Sequence, residues 1–281
     1  NSGSQNSGSQ NSGSQNPGPQ NSGPQNPALR IPKVEFKDME FVYAGAKEPA
    51  LKDISFCAMA GQTIGVIGGT GSGKSTLVNL IPRFYDAASG QVLVDGTDVK
   101  EYSLDELRDK TGVVPQKSVL FKGTLRDNMR WGKQDASDEE IYRALDTAQA
   151  REFVDSKGEG LDLYIDQGGH NLSGGQRQRL TIARALVRRP EILIMDDSAS
   201  ALDFATDARL RKAIRENTGD MTVFIVSQRA TTIKSADTIL VLDEGRLAGM
   251  GTHKELLKDC QVYREICLSQ LSKEEVERDE Q

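Results

Sequence analysis

Short apolar runs recur along the chain beyond residue 30, and stretches with helical periodicity separate many of them. Residues 62–68 form an apolar run that ends in glycine, typical of a buried strand, and a helix is predicted from Lys74 to about Phe84. The other strand-like runs are residues 34–36, 41–43, 54–56, 92–94, 111–114, 192–195, 223–226 and 238–242. Apolar strands that alternate with helices predict an α/β fold, with a mainly parallel sheet covered on both faces.

Residues 116–189 depart from this pattern, because they are polar, rich in predicted helix and poor in strand signals. Helices are predicted at Asp138–Gln149 and Gly174–Arg189. We therefore interpret residues 116–189 as a helical insertion into the core that contains the sheet.

Residues 1–27 repeat Asn, Ser, Gly, Gln and Pro in a five-residue rhythm, without any charged, aliphatic or aromatic residue. Such a segment cannot bury enough apolar surface to offset the entropy lost on ordering. Residues 1–28 are therefore predicted to be a disordered linker, either natural or engineered. The rest of the chain is long enough to bury a sizeable core, which excludes a wholly disordered protein.

The net charge of −6 argues against a surface built mainly to bind polyanions. No apolar run is long enough to span a membrane, and the start lacks the basic and apolar regions of a signal peptide. Because the chain begins with Asn, we expect it to be a piece of a longer or processed protein. The sparse, odd set of Cys57, Cys260 and Cys267 indicates a reducing compartment, and Cys260 and Cys267 are expected to pack as thiols on one helix face.

The segment Gly68–Ser75 reads GGTGSGKS and fits the pattern G-x-x-x-x-G-K-[ST]. Its glycines allow backbone N–H groups to turn inward around a phosphate chain. Lys74 supplies a cation for the β- and γ-phosphates, and Ser75 supplies a hydroxyl for Mg²⁺. A predicted strand before the segment and a helix after it favour a phosphate loop over a merely flexible turn.

Two further segments point to the same chemistry. The apolar strand that ends in Asp196 places a carboxylate where a phosphate-loop protein holds Mg²⁺ through water, although alone it would be an ordinary buried strand with a capping residue. Leu172–Gln176 reads LSGGQ at a helix start, which is a second backbone cradle for phosphate. The arginines that follow are spread around their helix, so they carry little weight as a nucleic-acid surface.

Together these segments resemble the ATPase domain of an ATP-binding cassette (ABC) transporter, over about residues 33–270. The matching motifs, in order, are Gly68–Ser75, Gln116 within Val114-Pro115-Gln116, Leu172–Gln176, Asp196, Ser200–Asp203 and the exporter-like ending Gly251–Leu256. A phosphate loop followed by LSGGQ at this spacing is highly specific.

The resemblance implies a phosphate-loop NTPase (RecA-like) core with a mainly parallel sheet, an N-terminal antiparallel β subdomain and an inserted α-helical subdomain. The ATPase domain would span residues 29–281. Its implied parts are a core at 29–115 and 190–270, a helical subdomain at 116–189 and a C-terminal tail at 271–281.

The resemblance also implies ATP and Mg²⁺ as ligands. Tyr43 would stack on adenine, Gln116 would sense the γ-phosphate and Mg²⁺, and the metal would contact Ser75, Gln116 and Asp196. Two such domains close head to tail, so that each ATP lies between one phosphate loop and the other domain's LSGGQ. The implied nucleotide-binding residues are Tyr43, Thr70, Gly71, Ser72, Gly73, Lys74, Ser75, Thr76, Ser173, Gly174, Gly175, Gln176 and Asp203.

The sequence departs from the family pattern at three positions. Asp197 stands where the family has a Glu that polarises the attacking water, and its carboxylate would sit roughly 1.5 Å back, enough for a rate loss on the order of 100-fold. Gln228 replaces a His, so that it can donate a hydrogen bond but cannot carry a proton. Gln167 is neutral where exporters usually have Glu.

These departures resemble the degenerate subunit of bacterial heterodimeric multidrug exporters. In that arrangement Asp197, Gln228 and Gln116 form a weak catalytic site, while LSGGQ completes the competent site of a different subunit. The expected partners are the membrane domain of the same transporter and a second ATPase domain, at the cytoplasmic face of the cell membrane, with no nucleic acid. Neither His170 nor His253 is given a catalytic role, and His253 is interpreted as a helix start.

Four alternatives stay open at this point: a slow homodimeric exporter ATPase, a soluble ABC protein that acts on DNA or ribosomes, an importer subunit, and a binding module without turnover. Soluble ABC proteins usually have two cassettes or a long coiled-coil insertion, and this chain has neither. Its missing Met start favours a fused exporter over a separate importer subunit.

Overall fold

The computed structural model describes residues 31–198 and 201–280, so the predicted linker at 1–28 lies outside it. The strands within these ranges are β1 (Val34–Phe41), β2 (Leu51–Ala58), β3 (Thr63–Gly68), β4 (Ser89–Val94), β5 (Thr97–Asp98), β6 (Thr111–Val114), β7 (Gly123–Thr124), β8 (Tyr164–Ile165), β9 (Ile192–Asp196), β10 (Thr222–Val226), β11 (Thr238–Asp243) and β12 (Arg246–Gly251).

The helices within the same ranges are α1 (Lys74–Asn79), α2 (Leu104–Lys110), α3 (Leu125–Arg130), α4 (Asp138–Thr147), α5 (Arg151–Ser156), α6 (Gly174–Leu186), α7 (Phe204–Asn217), α8 (Ala230–Ile233), α9 (His253–Asp259), α10 (Gln261–Leu268) and α11 (Lys273–Glu280). Two short 3₁₀ turns cover Gly160–Asp162 and Gln167–Gly169. None of the described helices is long and apolar enough to cross a membrane.

The main sheet has the strand order β12-β11-β3-β10-β9-β6. All of its neighbouring pairs are parallel except the β11–β12 pair at one edge. A second, antiparallel sheet has the order β2-β1-β4-β5. The predicted mainly parallel sheet is therefore confirmed, and so is the antiparallel sheet near the start of the domain.

Alternate residues of the central strands explain why both faces of the main sheet are covered. In β9, Ile192 and Ile194 face a cluster that includes the antiparallel sheet and α1. Leu193 and Met195 face the opposite cluster, which includes α6 and the C-terminal helices. Since side chains alternate along a strand, an unbroken apolar run fills both layers at once.

Most strand predictions are confirmed, but the end of β1 differs and four of the described strands were missed. Residues 42–43 lie outside β1, because the chain turns there and the Ala46 N–H donates to the Tyr43 carbonyl oxygen at 2.9 Å. The short strands β5, β7 and β8 and the edge strand β12 were not predicted. The glycine-rich β12 is partly exposed and has no apolar run, so it gives no strand signal.

The helices end earlier than their patterns predict. Helix α6 stops at Leu186 because Arg189 has a left-handed φ of 54° and precedes Pro190. Helix α4 stops at Thr147, before Gln149 with a φ of 55°. Helix α1 stops at Asn79, followed by a turn that contains a proline, instead of reaching Phe84.

Four arginines of the α6 region anchor neighbouring segments through main-chain carbonyl oxygens. The acceptors belong to different segments: Arg177 donates to Gly169 and Leu172, Arg179 to Gln149, Arg184 to Val119, and Arg188 to Gly132 and Arg108. These basic side chains hold the polar block 116–189 together, which agrees with the low weight given to them as a nucleic-acid surface.

The C-terminal helices pack against the main sheet. Cys260 and Cys267 are buried as packed thiols, with Cys260 at the junction of α9 and α10, and burial raises the pKa of Cys267 to about 11. Cys57 is exposed. His253 is the first residue of α9, as predicted. The segment 271–281 contains α11, whose Val276 is buried.

Candidate nucleotide site

The phosphate loop connects the carboxyl end of β3 to α1. A Cβ on Gly68 would lie 2.1 Å from the Leu242 carbonyl oxygen, so the close approach of β3 and β11 requires glycine there. Gly71 has a left-handed φ of 81°, and its own Cβ position is open. The loop therefore presents bare backbone toward a neighbouring cavity, as the motif predicts.

Lys74 is the buried cation of this loop, with only 8% of its surface exposed. Its Nζ donates to the carbonyl oxygens of Gly68 and Gly69 at 3.0 and 2.7 Å. Burial lowers the pKa of Lys74, while the nearby carboxylates of Asp196 and Asp197 oppose this effect. An ammonium group held beside bare backbone has the character needed to receive an anionic ligand.

Two hydrogen bonds connect the predicted metal and catalytic residues, and one of them comes from the phosphate loop. The Ser75 hydroxyl donates to Asp196 Oδ1 at 2.9 Å, and Gln116 Nε2 donates to Asp197 Oδ2 at 3.2 Å. Burial raises the pKa of Asp196, helped by Asp197 and opposed by Ser75 and Lys74. The carboxyl ends of β6 and β9 thus bring these groups together.

A cavity of about 220 Å³ lies between these groups. It is lined by Thr70, Gly71, Lys74, Ser75, Gln116, Asp196, Asp197, Val226, Ser227 and Gln228. Eight of these ten residues were predicted from the sequence. Val226 and Ser227 were not, although a polar residue directly after a parallel strand is a usual signal of a site.

The donor set fits a phosphate chain with Mg²⁺. Ser75 and Asp196 offer two hard oxygen ligands that lie side by side, and Lys74 adds positive charge to the same cavity. In residues 31–198 and 201–280 no group of three His, Cys, Asp or Glu side chains forms a metal cage. Mg²⁺ usually binds through one or two protein oxygens together with phosphates and water, so the pair suits it.

Tyr43 lies beside the phosphate loop, since its hydroxyl group is 2.7 Å from Thr76 Oγ1. Its ring makes edge contacts with Phe41 and Tyr85, and 40% of the residue is exposed. Ser72 and Thr76 are buried within the loop and α1. The structure therefore places an accessible aromatic face close to the loop.

The LSGGQ segment lies in a different place, at the start of α6. Ser173 Oγ accepts from the Gln176 N–H at 3.2 Å, and Gln176 Oε1 accepts from the Ser173 N–H at 3.0 Å, which closes a capping box. Cβ atoms on Gly174 and Gly175 would face Ala201. None of these residues lines the cavity beside Lys74.

Asp203 belongs to this second group and caps α7 by accepting from the Thr206 N–H at 2.9 Å. That hydrogen bond lowers the pKa of Asp203. The predicted motif residue Ser200 lies outside the described residues. Gln167 is exposed in a 3₁₀ turn before LSGGQ.

Residues 51–200 match the family described as ABC transporter. The chain belongs to the ABC transporter ATPase family. An ABC ATPase domain binds ATP, generally with Mg²⁺, and hydrolyses it.

Several curated relatives are similar to this chain over most of its length. An uncharacterized ABC transporter ATP-binding protein of Mycobacterium bovis is 49% identical over 82% of this chain and 40% of the relative. An ATP-dependent lipid A-core flippase of Haemophilus influenzae is 43% identical over 85% of this chain and 41% of the relative. A putative multidrug export ATP-binding/permease protein of Bacillus subtilis is 42% identical, over 83% and 40%.

A solved structure of a bacterial Atm1-family ABC exporter with ATP bound resembles this ABC domain with a TM-score of 0.82 and 38% identity. It covers 86% of this chain and 42% of the exporter chain. The predicted fold class is therefore confirmed. The chain spans about two fifths of the length of the curated relatives that it matches.

Proposed function

We propose that this chain is the ATPase domain of an ABC exporter, with a weak site of its own and an LSGGQ segment that completes the site of a second domain. The observation that carries the proposal is the separation of two clusters. The loop cluster (Lys74, Ser75, Gln116, Asp196, Asp197 and Gln228) surrounds the cavity, whereas the signature cluster (Ser173, Gly174, Gly175, Gln176 and Asp203) lies apart from it.

In the loop cluster, Lys74 and the backbone at residues 70–73 bind the phosphates, and Tyr43 stacks on the base. Ser75, Asp196 and Gln116 would hold Mg²⁺, which would neutralise phosphate charge when bound. Gln116 already donates to Asp197, and it lines the same cavity as Ser75 and Asp196.

Slow hydrolysis follows from the chemistry of Asp197 and Gln228. The Asp197 N–H donates to the Val226 carbonyl oxygen at 2.9 Å, which fixes the backbone beneath its short side chain. Its left-handed φ of 45° also suits aspartate better than a longer side chain. Gln228 borders the cavity and can donate to a γ-phosphate, but it cannot take up a proton.

The signature cluster is proposed to act on a partner's nucleotide. Helix α6 has thirteen residues, and its capped N-terminus presents the glycines Gly174 and Gly175 beside Ala201. Backbone N–H groups at a helix N-terminus bind phosphate. Two domains that face each other head to tail would therefore each lend this cluster to the other, with a heterodimer as the proposed arrangement.

The membrane domain is proposed to dock on an aromatic surface between α3 and α6. Trp131 is 68% exposed and packs on Phe121, while Arg184 lies over the Phe121 ring. A neighbouring groove also contains Phe84. Exposed aromatic clusters of this kind mark interaction surfaces, and this one follows Gln116 closely in sequence.

We propose the same division of the domain as before: an ATPase core at 29–115 and 190–270, a helical subdomain at 116–189 and a tail at 271–281. We also propose that the domain lies at the cytoplasmic face of a membrane, where it would power export. Relatives named as a lipid A-core flippase and as a putative multidrug export protein support the role in export.

Calorimetric titration of the chain with ATP and Mg²⁺, paired with a phosphate-release assay, tests the proposal. We expect ATP binding with very slow hydrolysis by the chain alone. Addition of a partner ABC ATPase domain with Glu and His at the positions of Asp197 and Gln228 should restore hydrolysis. Brisk turnover by the chain alone would instead support a homodimeric exporter ATPase, and the absence of nucleotide binding would contradict both.

A further inference from the structure

The side-chain amide of Gln270 spans the two sides of residue 229. Its Nε2 donates to the Gln228 carbonyl oxygen at 2.7 Å, and its Oε1 accepts from the Ala230 N–H at 2.9 Å. One side-chain amide therefore holds the peptide groups on both sides of residue 229, directly after the cavity residue Gln228. The two contacts join residues about forty positions apart in sequence.

The end of α10 fixes the position of Gln270. Its backbone N–H donates to the Cys267 carbonyl oxygen at 3.0 Å, which continues the helical turn. Tyr263 and Cys267 are fully buried in the cluster that also contains one face of the main sheet. The Tyr263 hydroxyl group is 2.7 Å from Nδ1 of His253. The amide thus directly follows a firmly packed helix.

The segment that Gln270 contacts is also held on its upstream side. The Ser227 N–H donates to the Val66 carbonyl oxygen at 3.1 Å, and Ser227 Oγ accepts from the Arg229 N–H at 3.0 Å. Helix α8 begins at Ala230 without a side-chain cap from its N-cap residue. Gln270 supplies the missing acceptor for the Ala230 N–H and so fixes the downstream side.

We propose that Gln270 is a positioning residue that holds Gln228 at the edge of the cavity, where Gln228 meets the γ-phosphate. This inference rests on the proposed function only in its last step, since the γ-phosphate contact presumes that ATP binds in the cavity. Gln270 itself does not line the cavity, so it acts through the backbone of residues 228–230.

Three variants of the full chain separate the two hydrogen bonds. Gln270→Leu removes both. Gln270→Glu keeps an acceptor for the Ala230 N–H but loses the donor to Gln228 and places a carboxylate against its carbonyl oxygen. Gln261→Leu is the matched control, because Gln261 is the first residue of α10, the helix that precedes Gln270, and its side chain donates to Glu265 four residues along that helix.

The measurement is the ratio of the ADP and ATP dissociation constants, determined in the presence of Mg²⁺, because this ratio isolates the γ-phosphate. Both Gln270 variants should lower the preference for ATP by roughly 3- to 10-fold, the range for one or two hydrogen bonds. Neither should lower it further in a Gln228→Ala background, since Gln270 acts through Gln228. Gln261→Leu should leave the ratio at its wild-type value.

Amide hydrogen exchange at Ala230 provides a readout that needs no nucleotide. Exchange should accelerate in Gln270→Leu and stay near wild type in Gln270→Glu. A purely structural cap would give Gln270→Glu a wild-type nucleotide ratio, and this result would overturn the proposal. An equal loss with and without Gln228, or a wild-type ratio in Gln228→Ala, would also overturn it.

Failure of the two proposals can be told apart. If wild type binds no nucleotide, the proposed function fails, and unchanged Ala230 exchange in Gln270→Leu would overturn the positioning role as well. Faster Ala230 exchange in Gln270→Leu would, in that case, still support the conclusion that Gln270 holds the backbone of residues 228–230. If wild type prefers ATP and Gln270→Leu leaves the ratio of the ADP and ATP dissociation constants unchanged, the proposed function stands and the positioning role fails.

Discussion

The loop cluster and the signature cluster are both suited to phosphate, yet they are built in opposite ways. The loop cluster lies at the carboxyl ends of β3, β6, β9 and β10, and its lysine is buried. The signature cluster lies at helix starts, where Ser173 and Asp203 are exposed and cap their own helices. One cluster encloses a cavity within the chain, and the other presents a surface.

The same contrast is seen in the carboxylates. Burial raises the pKa of Asp196 in the loop cluster, whereas a hydrogen bond from Thr206 lowers the pKa of Asp203 in the signature cluster. A buried charge without its ligand is costly, while a capping carboxylate at a helix start is already stabilised. The loop cluster therefore gains more from a cationic ligand such as Mg²⁺ than the signature cluster does.

The largest expected effect is on nucleotide affinity. Lys74→Ala should weaken ATP binding by roughly 10- to 100-fold, because it removes hydrogen bonds from a charged donor to the phosphates. Calorimetric titration measures the change. Lys47→Ala, at an exposed position, is the control. Equal affinity in the two variants would show that ATP binds outside the loop cluster.

The next effect is on hydrolysis in the loop cluster. Asp197→Glu combined with Gln228→His should raise the phosphate-release rate of the isolated chain by about 100-fold, since a correctly placed base is restored. The left-handed backbone at position 197 should make the variant slightly less stable. No gain in rate would mean that other features of the cluster limit turnover.

A smaller effect should separate the signature cluster from the loop cluster. Ser173→Ala should leave ATP affinity unchanged and lower hydrolysis by a mixture with a competent partner about 10-fold, because the hydroxyl would contact the partner's nucleotide. Ser137→Ala is the matched control, because Ser137 forms a capping box of the same kind at the start of α4. Both should lose about 1 kcal/mol of stability. A similar drop in hydrolysis in both would reduce the role of Ser173 to folding.

The smallest effect concerns the amino end of β9, opposite to the loop cluster. Glu191 pairs with Lys33 and Lys110 at 2.7 and 3.0 Å. The hydrogen bond from Lys33, with that from Lys110, lowers the pKa of Glu191. Its stabilising contribution is therefore present above about pH 4.5 and is lost as the pH falls through the lowered pKa.

Glu191→Gln should accordingly lower the free energy of unfolding at pH 7 by less than about 1 kcal/mol, because the pair is partly exposed. The difference should vanish under strongly acidic conditions, and ATP affinity should not change. Thermal unfolding across a pH series measures it. Glu139→Gln, at an exposed helical pair with Arg143, is the control. A change in ATP affinity would show that the two ends of β9 are coupled.

The sequence predicts local motifs well because their chemistry depends on neighbouring residues. The glycines, lysine and serine of residues 68–75 predict the loop, and an apolar run ending in Asp196 predicts its carboxylate. It predicts less well where partners are distant. Nothing near Gln270 in the sequence indicates that it contacts Gln228 and Ala230, because that contact depends on how α10 packs.

Helix boundaries and the arginines of α6 show the same limit. The periodicity of residues 174–189 predicts the helix, but the backbone at Arg189 ends it early. Arg179 and Arg184 look like solvent-facing charges in the sequence, whereas in the fold they bind distant carbonyl oxygens. Charged side chains whose acceptors are main-chain atoms leave no recognisable pattern.

Helix α6 also has a mechanical consequence. Gln178 contacts Ser118, and Arg184 contacts Val119, so the loop that follows Gln116 is attached along the side of this helix. A thirteen-residue helix is a stiff rod about 20 Å long. We therefore expect a movement of that loop to be transmitted along α6 to its LSGGQ end, so that a change on one side of the chain alters the geometry offered on the other.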